Sequence, residues 1–403
     1  MEKRGDGTTY GGHMEMQLVY EEQVGHRVPD DALGRLCAEI FAPLPRSDQR
    51  RKGELYLRGL LSAGGRKSMR NIATHVGDRA AEQSLHHFIS SSTWDWGPVR
   101  ATLARYLERS LRPRAWVVHP VVIPKAGRHS VGVARRFVPS LGQVVNSQEA
   151  FGVWAANEET SSPVNWRLML CEDWRDTDRL GPAPLPQDAH LAATPLECVT
   201  GALAEVRTWT GGGSPRPVVV DLPDISPTAL ARSLGVARLP YLASVRGTTA
   251  VAPATPAVLG NDSRPTSAHQ LLRMVRTLRR PVTWSDPEGL ASRTSLVAGV
   301  QVRLPGVQRP LLLLGEWTGT NGWPRQCWIT DMTDVPWGAL LRLAKLTHRV
   351  ETDFAEVATR VGIVDFEGRS FGGWHRHTTL ASAAHALSSE YRDQRPQPMA
   401  WPA

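Results

Sequence analysis

Apolar residues recur at helical spacing from Asp30 to about Leu111. Leu33, Leu36, Ile40 and Phe41 make one stripe. Leu55, Leu57, Leu60 and Leu61 make a second, which Gly64-Gly65 stops. A third helix is expected from near Ser68 and another after Trp96 and Pro98. These predict a helical domain over 30–112, behind a polar, glycine-rich start (1–29) expected to be flexible.

The pattern changes at Pro113. Trp116–Val118, Val131–Val133, Val138–Val145, Phe151–Ala155 and Arg167–Leu170 read as short strands. The first is expected to end in His119-Pro120. A helix over 194–209, a strand over 218–221, a helix over 226–234 and a strand at Tyr241–Val245 follow. Strands in succession, then strands alternating with helices, predict an α/β (mixed) fold whose core sheet carries helices on its faces. The core's first part spans 113–246, and a β-rich insertion occupies 247–334. Its strands are Leu296–Val302, Pro310–Leu314 and Cys327–Ile329. Residues 335–392 complete the core with a long helix over 336–361 and a last helix over 378–390, and 393–403 form a tail.

Composition narrows the function classes. The apolar content of 41% supplies a real core. The net charge of +8 favours a polyanionic partner, usually nucleic acid, although over 403 residues it is no dense patch. Lysine occurs only at 3, 52, 67, 125 and 345, so the basic residues are overwhelmingly arginine. With the many Ala, Gly and Pro, that reads as the bias of a GC-rich genome. Cys37, Cys171, Cys198 and Cys327 are far apart and form no zinc-ribbon pair. The N-terminus has no apolar run of a signal peptide, and no apolar stretch reaches the roughly 20 residues that span a bilayer. A cytoplasmic protein is expected.

Several stretches resemble one family. They are Tyr56-Leu57-Arg58-Gly59-Leu60-Leu61 with Arg66-Lys67-Ser68, the run from Lys125 to Phe137, and Val145-Asn146-Ser147-Gln148. Val245-Arg246-Gly247-Thr248-Thr249 and Arg342-Leu343-Ala344-Lys345 continue the likeness. The most specific are Asp365-Phe366-Glu367-Gly368-Arg369-Ser370 and Gly373-Trp374-His375-Arg376-His377. From about residue 33 to 390 the chain resembles the DDE transposases of bacterial insertion sequences, which implies a ribonuclease-H-like core. In that family three acids hold two divalent cations that activate a nucleophile and stabilise the leaving oxygen of a phosphodiester.

The resemblance assigns the second acid to Asp221 and the third to Glu351. The first falls at His119 or Pro120, a poor magnesium ligand and a residue with no ligand at all. The family's Arg four residues before the Glu and Lys seven after it correspond here to Thr347 and Ala358. On one helix face both would aim at phosphate. A metal ligand and two cationic contacts are therefore missing together, and neither a metal nor another cofactor is expected.

Each remaining residue has a plain reading beside the functional one. Asp221 is a remnant acid or a polar strand end; Glu351 and Asp353 are half a site or a solvated helix face. His119 is a new general base facing Asp221 and Glu351, or a hydrogen-bonded structural imidazole. Lys125 reads as an anion contact or a loop lysine, and His375, His377 and His385 lack zinc spacing. Arg66, Lys67, Arg70, Arg135 and Arg136 are candidate phosphate contacts. So are Arg273, Arg276, Arg279 and Arg280, which lie at helical spacing as the densest basic strip or as a solvated face.

The leading expectation is a transposase-derived protein that has lost two-metal chemistry and binds DNA, with a regulatory role. The alternative is a metal-independent pocket enzyme, using His119, Asp221 and Glu351 on a small molecule by acid–base or cyclisation chemistry, of the kind that serves actinobacterial specialised metabolism. An active transposase is a third reading. The sequence leaves the oligomeric state open, with the family's dimers as the only hint.

Overall fold

The computed structural model describes residues 28–77, 79–139, 141–170, 174, 194–211, 215–254, 264–285, 292–319 and 322–392. Nearly all of the expected flexible start, the whole tail 393–403 and Cys171 lie outside the described residues.

Five helices open the chain: α1 (Asp30–Ile40), α2 (Ser47–Ser62), α3 (Met69–Val76), α4 (Arg79–Ser90) and α5 (Trp96–Ser110). They bury the predicted stripes, with Leu33, Leu36, Tyr56, Leu57 and Leu60 each at most 3% exposed. Close approach between helices needs Gly59, since a Cβ there would stand 2.4 Å from Ile72 Cγ2. The Ser68 side chain caps α3 by accepting from the Asn71 N–H, and that of Asp95 caps α5 by accepting from Gly97.

The sheet strands are β1 (Ala115–Pro124), β2 (Ala134–Val138), β3 (Gln143–Ala156), β4 (Ser161–Leu168), β5 (Val218–Val220), β6 (Tyr241–Val245), β7 (Ala250–Pro253) and β8 (Thr266–Ser267). They continue as β9 (Arg280–Ser285), β10 (Ser292–Arg303), β11 (Leu311–Trp317) and β12 (Gln326–Thr330). Helices α6 (Pro195–Trp209), α7 (Pro227–Val236), α8 (Ala268–Met274), α9 (Trp337–Asp353) and α10 (Phe371–Glu390) complete the fold. The twelve described strands form one mixed sheet, ordered β2-β3-β1-β5-β6-β12-β11-β10-β7-β8, with β4 also on β3 and β9 also on β10. Antiparallel β1–β3 beside parallel β1–β5–β6 is the ribonuclease-H-like core. β12 pairs with β6, so the strands of 247–334 extend the core sheet instead of forming a second one.

Four local expectations are corrected. β1 does not stop at His119-Pro120 but pairs with β3 as far as Pro124 opposite Ser147. Because β5 ends at Val220, β1 has become an edge on that side, where proline is tolerated. Val131–Val133 is a buried turn, with Gly132 at φ +74°, and 138–145 is a hairpin whose turn joins β2 to β3. The last helix begins at Phe371. Its first turns carry Trp, His and Gly residues that give no apolar stripe, because α10 is buried on all sides. Its polar groups are satisfied from within: Arg100, 2% exposed, donates to the hydroxyls of Thr378 and Thr379 and the carbonyl of His375.

Candidate functional site

Strand alternation puts Val117 and His119 on one side of β1, and Trp116 and Val118 on the other. The last β1–β5 pair is Val118 with Val220, so His119 and Asp221 follow side by side on neighbouring chains. α9 packs across β1 and β5 and carries Glu351, which is exposed. The three residues expected to converge are thus carried by β1, the position after β5 and α9. What surrounds them differs.

His119 is half-buried in an aromatic cluster. Its ring centroid lies 4.9 Å from that of Phe354 and 6.1 Å from that of Trp154. Trp154 in turn meets Trp166, Phe354 and His385 at 6.2, 6.2 and 5.1 Å. Gly152, opposite His119 on β3, makes room for this cluster: a Cβ there would stand 2.8 Å from the Trp166 ring and 2.9 Å from Trp154 Nε1. Phe354 begins a π-helical turn, Phe354–Ala358, that widens the end of α9 beside the strand. Burial pushes the His119 imidazole down to about 4, so the ring is neutral at pH 7.

The cluster does not fit two divalent cations. Mg²⁺ needs oxygen ligands, whereas the first-acid position holds a neutral imidazole among rings and a proline. Among the described residues, no three His, Cys, Asp or Glu side chains come together as a metal-binding group. The two positions to which the resemblance gives the family's cationic side chains, 347 and 358, face the core. Thr347 and Ala358 are buried, at 5% and 0% exposure, and Thr347 donates its hydroxyl to the Ala344 carbonyl.

The carboxylates of α9 play different parts. Asp353 is not a solvated face: it is wholly buried and accepts from Arg349 (2.7 and 3.1 Å), from Arg392 (2.7 Å) and from the amide and hydroxyl of Ser161 (2.7 and 2.8 Å). It ties α9 to β4 and to the chain after α10. One turn before Glu351, His348 has its pKa lowered by burial and by Lys345, with Glu316 and Asp221 acting in the opposite sense. Lys345 is itself buried and pairs with Glu316 at 2.7 Å, while Ser295 donates to the same carboxylate at 2.6 Å.

The predicted basic residues are scattered. Arg66 is exposed and pairs with Glu367 at 3.2 Å; Arg70 is exposed on α3. Lys67 presents no surface charge, because it is 4% exposed with its ammonium on the Ala63 carbonyl. Arg135 is exposed on β2, whereas Arg136 is half-buried and paired with Glu149. Arg273, Arg276, Arg279 and Arg280 do not share one helix. They fall on α8, in a 3-10 turn at Arg276–Leu278, at its C-cap and on β9. Arg273 lies over Trp323 at 5.1 Å, Arg279 over Trp317 at 5.5 Å and Arg280 over Trp337 at 5.7 Å. Lys125 donates to the Phe366 carbonyl at 2.7 Å, which anchors the segment before α10. His375, His377 and His385 are buried and hydrogen-bonded in the core.

Trp154, Trp166 and Phe354 were missed as site residues. The signal available for Phe354 was its place three residues after Glu351, one turn further along the long helix predicted over 336–361.

An α/β chain whose antiparallel β1–β3 pair continues into parallel β1–β5–β6 belongs to the ribonuclease-H-like fold class. The profile of one family within it, described as DDE superfamily endonuclease, matches residues 39–304, and the chain belongs to that family. The matched stretch contains His119 and Asp221 and ends before Glu351. No curated protein matches the chain. Among the described residues no helix is long and apolar enough to cross a membrane.

Proposed function

We propose that this chain is a DDE-family protein that has given up two-metal strand transfer and acts by binding DNA. The observation that carries the reading is the aromatic cluster at the first-acid position: His119 against Phe354 and Trp154, with Gly152 opposite. A cation held there would have to displace rings packed into the core, and the neighbouring Asp221 carboxylate alone would not repay the loss of water. The buried Thr347 and Ala358 remove the phosphate-facing cations from the same helix. A net charge of +8 and the exposed Arg70, Arg135, Arg273, Arg276 and Arg280 suit contact with a phosphate backbone. The pocket-enzyme alternative receives less support. An imidazole pushed down to about 4 is a weak base at neutral pH, far from the matched pKa that efficient proton transfer uses.

Two assays on the full chain test this. Fluorescence anisotropy with duplex DNA should give binding whose logarithm falls linearly with the logarithm of salt concentration. Supercoiled plasmid with Mg²⁺ or Mn²⁺ should stay uncut, equally for the wild type and Asp221→Ala. Salt-insensitive or absent DNA binding, or metal-dependent nicks that disappear in Asp221→Ala, would overturn the proposal.

A further inference from the structure

A cavity of about 670 Å³ opens at the starts of β1 and β5, at the opposite end of that strand pair from His119 and Asp221. Its floor is apolar, made by Trp116, Val218, Leu203 and Leu239. Its rim carries Arg207, Arg216 and Arg238 against a single carboxylate, Glu108. This volume lies in the range of small-molecule sites, and an apolar floor with a few convergent polar groups is their usual make-up.

The three guanidiniums are placed differently. Arg216 is clamped: Nε and Nη2 each donate to Glu108 at 2.8 Å, and Nη1 donates to the Pro113 carbonyl. Arg207, in the last turn of α6, is steadied by one bond from Nη1 to the Ala237 carbonyl. Neither Arg207 nor Arg238 has a carboxylate partner among the described residues, so the rim keeps an uncompensated positive charge. Arg238 adds a backbone observation. It sits at φ +52° directly after α7, where the Leu239 N–H returns to the Leu234 carbonyl at 3.0 Å. That left-handed position ordinarily takes glycine, and an arginine there carries a conformational cost.

The geometry points to a binding site for a small organic anion: a phosphate or carboxylate head on the Arg207–Arg238 rim, with a flat apolar body over Trp116 and Leu203. Planar guanidiniums suit either oxyanion. The site is independent of the DNA-binding reading, since none of its residues belongs to the His119 cluster.

The probe is 1-anilinonaphthalene-8-sulfonate, an anion on a flat aromatic body, titrated into the full chain by fluorescence. One molecule should bind per chain. Arg238→Gly should weaken it about tenfold, the loss expected for one charge-assisted contact. That variant suits the left-handed backbone, so an unchanged or raised melting temperature separates lost binding from lost fold. Arg207→Gln provides a second variant with the same expected direction. Displacement by adenosine monophosphate assigns a phosphate head, and displacement by benzoate a carboxylate head. Equal probe affinity in wild type and both variants, or displacement by neither anion, overturns the site. So does displacement by duplex DNA with the same variant dependence, which would give these arginines to the DNA surface.

Discussion

The β1–β5 strand pair has two unlike ends. At one, His119 and Asp221 stand side by side, Phe354 and Trp154 pack against His119, and Trp166 packs against Trp154. At the other, the same two strands begin under an open cavity rimmed by three arginines. The filled end holds the residues that the sequence marks as chemical, and the open end holds residues that no motif marks. A side chain's identity does not decide its chemistry. His119 is held neutral by its burial among rings, whereas Arg238 has no carboxylate partner among the described residues.

The comparison breaks most readily under acid. His119, His377 and His385 are each pushed down to about 4 by burial, and His375 falls well below the usual histidine value of 6.5. All four are neutral in the folded chain and gain protons on unfolding. From pH 6.5 down to 4 the unfolded state therefore binds more protons, and stability falls as pH falls. Denaturant midpoints measured across that window should drop steeply, and His119→Phe should make the drop shallower by about one proton.

Next in size is Asp353→Ala. It leaves the guanidiniums of Arg349 and Arg392 without their buried carboxylate, at a cost of about 3–5 kcal/mol in urea unfolding. Glu351→Ala, two residues away on the exposed side of α9, should change stability by less than about 0.5 kcal/mol.

His119→Asp tests the filled end directly. A carboxylate among the rings should lower stability by roughly 1–3 kcal/mol and should not bring metal-dependent plasmid nicking. Nicking activity in that variant would show that one substitution restores the site, and that the rings yield to a cation.

Smaller effects belong to the surface. Arg70→Ala should lower the salt slope of DNA binding by about one while weakening all sequences alike. Arg238→Gly, at the open end, should raise stability by no more than about 1 kcal/mol in thermal melts, because relief of the left-handed backbone is partly offset by glycine's freedom when unfolded.

Much of the fold was legible in the sequence. The helical stripes of 30–112, the valine runs at 117–118 and 218–220 and the apolar face of the long helix are local periodicities, and each appears as a helix or strand. The candidate site was legible only as positions. His119 lies on β1, Asp221 just after β5 and Glu351 on α9, whereas no local pattern showed the aromatic cluster. Trp154 and Trp166 lie on the consecutive strands β3 and β4, but Phe354 is far away in the chain and meets them only when the end of α9 packs on that strand pair. The basic strip at 273–280 failed for the reverse reason. Helical spacing held on paper, but α8 ends at Met274 and the chain turns into β9, where Arg280 stacks on Trp337.

The sequence by itself determined the α/β class and the family, because these depend on residue type and short-range spacing. The tertiary structure alone decided three further things. His119 is packed among rings, Asp353 is a buried tie between α9 and β4 while Glu351 faces solvent, and Arg207, Arg216 and Arg238 share one cavity. Burial and charge pairing are properties of what surrounds a residue, and those surroundings are assembled from segments that no local pattern connects.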